Sequence, residues 1–322
     1  MEAGLSIPVG DFLDLLEINT QCSSFSRQEK EMFKPKFYTL IVMTFVVLVG
    51  EITAQTSGPS NGSLVIVGGA MRDQGIMQRF MDLAGGSNSP IVVIPTAGGE
   101  EDYDQFYSGL KAWRDLGATN MTVLHTTDRS VANSDAFVTA IQEATGVWFP
   151  GGRQWRLADS YLDTRTEEEL WKLLDRGGVI GGSSAGASIQ GSYLVRGDTR
   201  TNETMMGDHE VGFGFLTNSA IDQHLLMRNR QFDLVEVINE HPELLGIGID
   251  ENTAIVVTGD EFEVVGQSYV AIYDNNRMIG DTGFSYFLAP GDRFDMKTRE
   301  ARRPARAFQP VDRAKPKRWP GG

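Results

Sequence analysis

A serine hydroxyl is a weak nucleophile at neutral pH and becomes reactive only where the backbone presents it beside a base. The stretch Val179-Ile180-Gly181-Gly182-Ser183-Ser184-Ala185-Gly186-Ala187-Ser188 has the composition for such a presentation, an apolar run followed by small residues on both sides of Ser184. Gly182-x-Ser184-x-Gly186 is the spacing of a nucleophile elbow, in which flanking glycines let a strand turn sharply into a helix and lift the serine above the sheet edge. A Gly/Ser turn that only joins a strand to a helix has the same composition, so Ser184 needs partners before it counts as a nucleophile.

The chain has four histidines from which a base must come. His125 ends an apolar run, His209 lies in a polar stretch and His241 precedes Pro242. His224 differs, because Asp222, Gln223, Arg228 and Arg230 surround it. Such a cluster suits a site better than a core, although the two arginines would also fit a solvated helix face. If they face a pocket, their planar donors suit a substrate carboxylate. The oxyanion formed by serine attack needs backbone N–H donors already in place. Ala185 supplies one by elbow geometry, and the Gly151-Gly152 turn offers a second at Gly152, or is simply a tight connection.

The elements that must carry these groups alternate along the chain. Short β-branched runs at 64–67, 91–94, 121–124, 146–149 and 178–180 are separated by helical patterns at 77–83, 103–116, 135–144 and 166–176. This predicts an α/β fold with a mainly parallel sheet, covered by helices on both faces. Ligands bind beyond the carboxyl ends of such strands, where Gly68-Gly69, Gly98-Gly99, Gly151-Gly152 and the Ser184 elbow all fall. Neither a dinucleotide fingerprint nor a phosphate loop follows any strand. The runs at 254–257, 262–265 and 269–273 predict antiparallel strands along one edge of the sheet near the C-terminus.

At 322 residues and 41% hydrophobic composition the chain can bury a large core. Its net charge of −14 argues against a nucleic-acid partner. The charge is uneven, with nine Lys/Arg against two acids from Lys297 onward, a local net of +7 that leaves −21 on the rest. With its four prolines this tail reads as solvated, and the expected organisation is an N-terminal extension (1–60), a catalytic domain (61–291) and a basic tail (292–322). The single cysteine, Cys22, excludes an intramolecular disulfide. Lys34-Pro35-Lys36, the apolar run 37–49 and the small polar residues after it have the layout of a secretory signal over 32–56, with translation starting at Met32. The expectation is a secreted or periplasmic protein, with an uncleaved membrane anchor as the alternative.

Four motifs occur in an order that resembles a known family: Phe149-Pro150-Gly151-Gly152-Arg153-Gln154, Gly182-x-Ser184-Ala185-Gly186-Ala187, Asp222-Gln223-His224 with Arg228 and Arg230, and Gly248-Ile249-Asp250-Glu251-Asn252-Thr253-Ala254. Together they resemble the peptidase E and cyanophycinase family of serine peptidases, over roughly 63–273. The resemblance implies a fold like that of class I glutamine amidotransferases and hydrolysis of peptide bonds next to aspartyl residues, with no metal or organic cofactor. In cyanophycinases the substrate is cyanophycin, a polyaspartate backbone with arginine side groups, released as β-aspartyl-arginine. It further implies Ser184 as nucleophile, His224 as base, and Gln154, Asp222, Gln223, Arg228 and Arg230 in the pocket. The family's acid is expected between serine and histidine, with Glu203 favoured over Asp198. Asp233 stands where those relatives carry a third arginine, which keeps another aspartyl peptide open as substrate. An aspartyl or isoaspartyl dipeptidase and a non-catalytic binding relative are the alternatives, and a homodimer remains open.

Overall fold

The computed structural model describes residues 56–275 and 285–304. Cys22, Met32, the apolar run 37–49 and the tail beyond 304 lie outside the described residues.

In β1 (Ser63–Val67) successive side chains point to opposite faces, so Leu64 and Ile66 enter one core while Val65 and Val67 enter another. All four are fully buried, and each such side chain contributes about 1.5–3 kcal/mol. A strand of this kind needs cover on both sides. On one face α1 (Gln74–Ala84) and α2 (Lys111–Asp115) supply it through Ile76, Phe80 and Trp113. On the other face stand α3 (Arg129–Ala132), α4 (Asp135–Glu143), α5 (Gln154–Tyr161) and α6 (Arg165–Asp175), through Ala132, Val138, Leu157 and Leu173.

The parallel centre of the main sheet is built from β1, β2 (Ile91–Val93), β3 (Met121–Val123), β4 (Gly146–Phe149) and β5 (Val179–Ser183). Antiparallel strands extend it beyond β1: β9 (Thr253–Thr258), β10 (Glu261–Gly266), β13 (Arg293–Asp295) and β14 (Glu300–Arg302). The order is β14-β13-β10-β9-β1-β5-β4-β2-β3. The α/β architecture and the antiparallel strands near the C-terminus are thus as the sequence predicts, with two differences. Residues 293–295 and 300–302 form strands rather than a solvated tail, where acids of the main sheet supply partners: Arg293 lies 2.9 Å and Arg302 3.5 Å from Glu261. The expected helix at 103–116 is reduced to a short 3-10 turn (Ser108–Leu110) and α2, behind a loop rich in acids and tyrosines.

The third run, at 270–273, joins a second sheet. It comprises β6 (Gly191–Tyr193), β7 (Leu216–Gln223), β8 (Leu245–Ile249), β11 (Val270–Tyr273) and β12 (Ser285–Leu288), in the order β12-β11-β8-β7-β6. Ile247, Ile249 and Ile272 face the core shared with the main sheet, while Ala220, Ala271 and Tyr273 pack against Leu234, Val237 and Ile238 of α8 (Asp233–Glu240).

Candidate active site

Ser184 lies between β5, which ends at Ser183, and α7 (Ala185–Ser188), for which it is the N-terminal cap residue. Its φ of 57° and ψ of −111° are unfavourable for a residue with a side chain, at a cost of about 1–3 kcal/mol. Hydrogen bonds hold it there. Ser184 N donates to Val67 O at 3.0 Å, and Ala187 N and Ser188 N donate to Ser184 O.

His224 follows β7 directly and is also left-handed, with φ 57°. Its N–H donates to Gly68 O at 2.7 Å, which moors the end of the second sheet to the end of β1. A methyl group on Gly69, whose φ is 120°, would lie 2.2 Å from His224 Cε1, so the imidazole occupies space that only glycine leaves. Nε2 of His224 lies 2.9 Å from Ser184 Oγ and Nδ1 lies 2.6 Å from Glu251 Oε1. A carboxylate on Nδ1 holds the proton of the neutral ring there and leaves Nε2 to accept from the serine hydroxyl. Burial of the imidazole holds its pKa below the ordinary value; the Glu251 hydrogen bond opposes this, and the positive charge of Arg228 adds to it.

Glu251 sits in the connection between β8 and β9, and its neighbours fix that connection. Asp250 Oδ1 accepts from Leu226 N and Met227 N, capping the turn after His224. Asn252 Oδ1 accepts from Arg72 N and Asp73 N at the start of α1.

Glu203, the expected acid, is elsewhere. Its side chain is 83% exposed and its carboxylate lies 4.0 Å from Arg230. Asp198 is buried, but its Oδ1 accepts from Arg200 N and Thr201 N, closing a local turn. The cause is topological: Glu203 and Asp198 both lie in the long connection between β6 and β7, whereas Nδ1 of His224 faces the β8–β9 connection. In sequence Glu251 shows only as one of two acids in the short Asp250-Glu251-Asn252 run between two largely apolar strands.

Gly151 and Gly152 connect β4 to α5 beside the elbow, and a methyl on Gly151 would lie 3.3 Å from Ser184 Cβ. Gly152, with φ 148°, packs its α-carbon so closely on Ala97 O that a methyl would lie 2.0 Å from it. Ala185, directly after Ser184, is buried. Gln154 is fully buried and its Nε2 donates to Val195 O. Gln223 Oε1 accepts from Arg230 at 3.0 Å. Asp222, fully enclosed, is bound through both oxygens by Arg196, a residue that no sequence motif marks. Arg228 is exposed on the turn after His224. The other histidines serve other contacts: His125 with Thr96, His209 between Asp159 and Asp208, and His241 near Glu243.

A hydroxyl, an imidazole and a carboxylate in series can move a proton off the serine as it attacks a carbonyl. The model for peptidase family S51 matches residues 64–265. A cyanophycinase of Geminocystis herdmanii is 33% identical over 225 residues, covering 67% of this chain and 82% of that protein. One from Thermosynechococcus vestitus is 32% identical over 234 residues, covering 70% and 72%. The crystal structure of a peptidase from an acI-B1 Actinobacterium superposes with a TM-score of 0.58 at 25% identity, covering 74% of this chain and 98% of that one. With a match that runs from within β1 to within β10 and includes Ser184, His224 and Glu251, the chain belongs to peptidase family S51 and is a serine-type peptidase.

Proposed function

We propose that the chain is an exported serine peptidase that hydrolyses cyanophycin to β-aspartyl-arginine dipeptides through an acyl-enzyme. The observation that carries the reading is the continuous chain Ser184 Oγ, His224 Nε2, His224 Nδ1, Glu251 Oε1. His224 takes the hydroxyl proton as Ser184 Oγ attacks the carbonyl carbon, and Glu251 stabilises the imidazolium. The N–H groups of Ala185 and Gly152 receive the oxyanion. His224 then passes the proton to the departing amine, the C–N bond breaks, and an ester remains on Ser184. Water, giving its proton to His224, hydrolyses the ester and restores the hydroxyl.

Two observations support a guanidinium-bearing polymer as substrate. The relatives at about a third identity are cyanophycinases. A cavity of about 590 Å³ lined by Glu100, Asp102, Asp104, Tyr103 and Tyr107 opens beside Gly98, which packs against Gly152; carboxylates and aromatic faces there suit guanidinium groups. Export rests on the cationic and apolar segment at 34–49, and no helix among the described residues is long and apolar enough to cross a membrane.

Incubation with insoluble cyanophycin tests the reading. Release of β-aspartyl-arginine is expected, falling by about 10⁴- to 10⁶-fold in Ser184→Ala. Absence of release, with cleavage of a β-aspartyl dipeptide instead, overturns the polymer substrate; an unchanged rate in Ser184→Ala overturns the nucleophile.

A further inference from the structure

Arg196 is the largest fully buried side chain among the described residues. It follows β6 in the left-handed region, with φ 55°. Its Nε donates to Asp222 Oδ1 at 2.8 Å and its Nη2 to Asp222 Oδ2 at 3.1 Å. Nη2 also bonds Asp233, and Nη1 donates to Asn202 O at 3.0 Å. A buried guanidinium with every nitrogen engaged avoids the penalty of an unpaired internal charge, and the two-pronged bond to Asp222 is the strong form of such a pair.

Asp222 stands one residue before Gln223 and two before His224. A second guanidinium is within reach of it: Arg230 Nη1 lies 4.0 Å from the same Oδ1. Yet Arg230 spends its hydrogen bonds on Gln223, at 3.2 Å to the backbone O and 3.0 Å to Oε1. Two cations therefore compete for one carboxylate, and Arg196 holds it.

We propose that Arg196 is a positioning residue for peptide binding: by occupying Asp222 and Asp233 it keeps Arg230 on Gln223, beside His224, and withholds Asp222 from the substrate. This rests on the peptidase reading above. The surface next to His224 then presents Arg228 and Arg230, whose charges both reach the imidazole, and it receives a carboxylate of the peptide rather than a guanidinium.

The experiment is a pair of variants assayed on a soluble β-aspartyl-arginine trimer, with labelling of Ser184 by a small fluorophosphonate as the control. In Arg196→Gln, Asp222 turns to Arg230 and draws it off Gln223; KM rises about tenfold or more, the effect of losing a hydrogen bond to a charged group. Labelling stays within about twofold, since neither Ser184, His224 nor Glu251 bonds Arg196. Adding Asp222→Asn removes the stranded anion and returns KM to within about threefold of the parent. An unmoved KM in Arg196→Gln overturns the proposal, as does a parallel loss of labelling. A double variant whose KM stays high also overturns it and makes Asp222 a direct substrate contact. If Arg196→Gln does not fold, the double variant, which strands no enclosed carboxylate, decides alone by the same criterion. Failure of the parent to cleave the trimer overturns the functional reading and this inference together, whereas the outcomes above overturn the inference alone.

Discussion

Glu251 Oε1 stands 2.6 Å from His224 Nδ1, on the side of the ring opposite Ser184. The contact joins two connections 27 residues apart in sequence and gives the imidazole both its tautomer and its orientation.

Glu251→Gln therefore loses the charge that holds the ring and stabilises its protonated form. The expected loss in kcat is about 10³- to 10⁴-fold, with KM little changed. Glu203→Gln, which alters an exposed carboxylate, should leave kcat within about twofold. Steady-state kinetics on the two variants separates the acid that the geometry selects from the one that chain order suggests; equal losses would refute the assignment.

The pH dependence follows from the surroundings of His224. Burial, reinforced by Arg228, holds its pKa below the ordinary 6.5, so the base stays neutral and competent until the pH falls below that value. The acid limb of kcat/KM should accordingly lie under pH 6.5. Arg228→Met removes a cation that disfavours the imidazolium, which moves the limb upward. Glu251→Gln removes an anion that favours it, which moves the limb downward. Shifts of the same sign in both variants would contradict the arrangement.

Gly69→Ala tests the space behind the imidazole. The new methyl would lie 2.2 Å from Cε1 and 2.7 Å from both ring nitrogens, so the ring must move. A displacement of about 1 Å costs on the order of 10²-fold in rate, and a side chain at φ 120° adds more than about 1 kcal/mol of destabilisation. Fluorophosphonate labelling should fall by that factor while the circular dichroism spectrum persists. Parent-like labelling would show that the ring does not need the gap.

Which parts of this site the sequence discloses depends on how each residue is held. Ser184 is legible because the elbow demands glycines at fixed spacing, and His224 because polar residues crowd round it. Glu251 is legible only as an acid in a short run between strands, since its role depends on a connection between strands of different sheets, and spacing carries no information about that crossing. The same cause hides the second sheet. β7 reads Leu-Thr-Asn-Ser-Ala-Ile-Asp-Gln, and its buried Ser219, Asp222 and Gln223 break the apolar pattern of a strand because Arg196, Arg230 and local carbonyls satisfy them. Strands β1 to β5 lie under helices on both faces, so composition alone marks them. Arg196 was invisible for a simpler reason: a lone arginine in sequence reads as surface until its two acids are found beside it.

Ser184 hangs from the nine-stranded sheet, His224 from the five-stranded one, and Glu251 from the short crossing at 250–252 between them. Catalysis is therefore a gauge of how the two sheets are seated on each other. A slip of one against the other by an ångström would leave the ladders within each sheet intact and the backbone spectroscopically unchanged, yet part His224 from Ser184. On warming, turnover should fade while the secondary structure still stands, and mutations in the apolar seam far from Ser184, at Ile247 or Ile272, would register in the rate before they register in the fold.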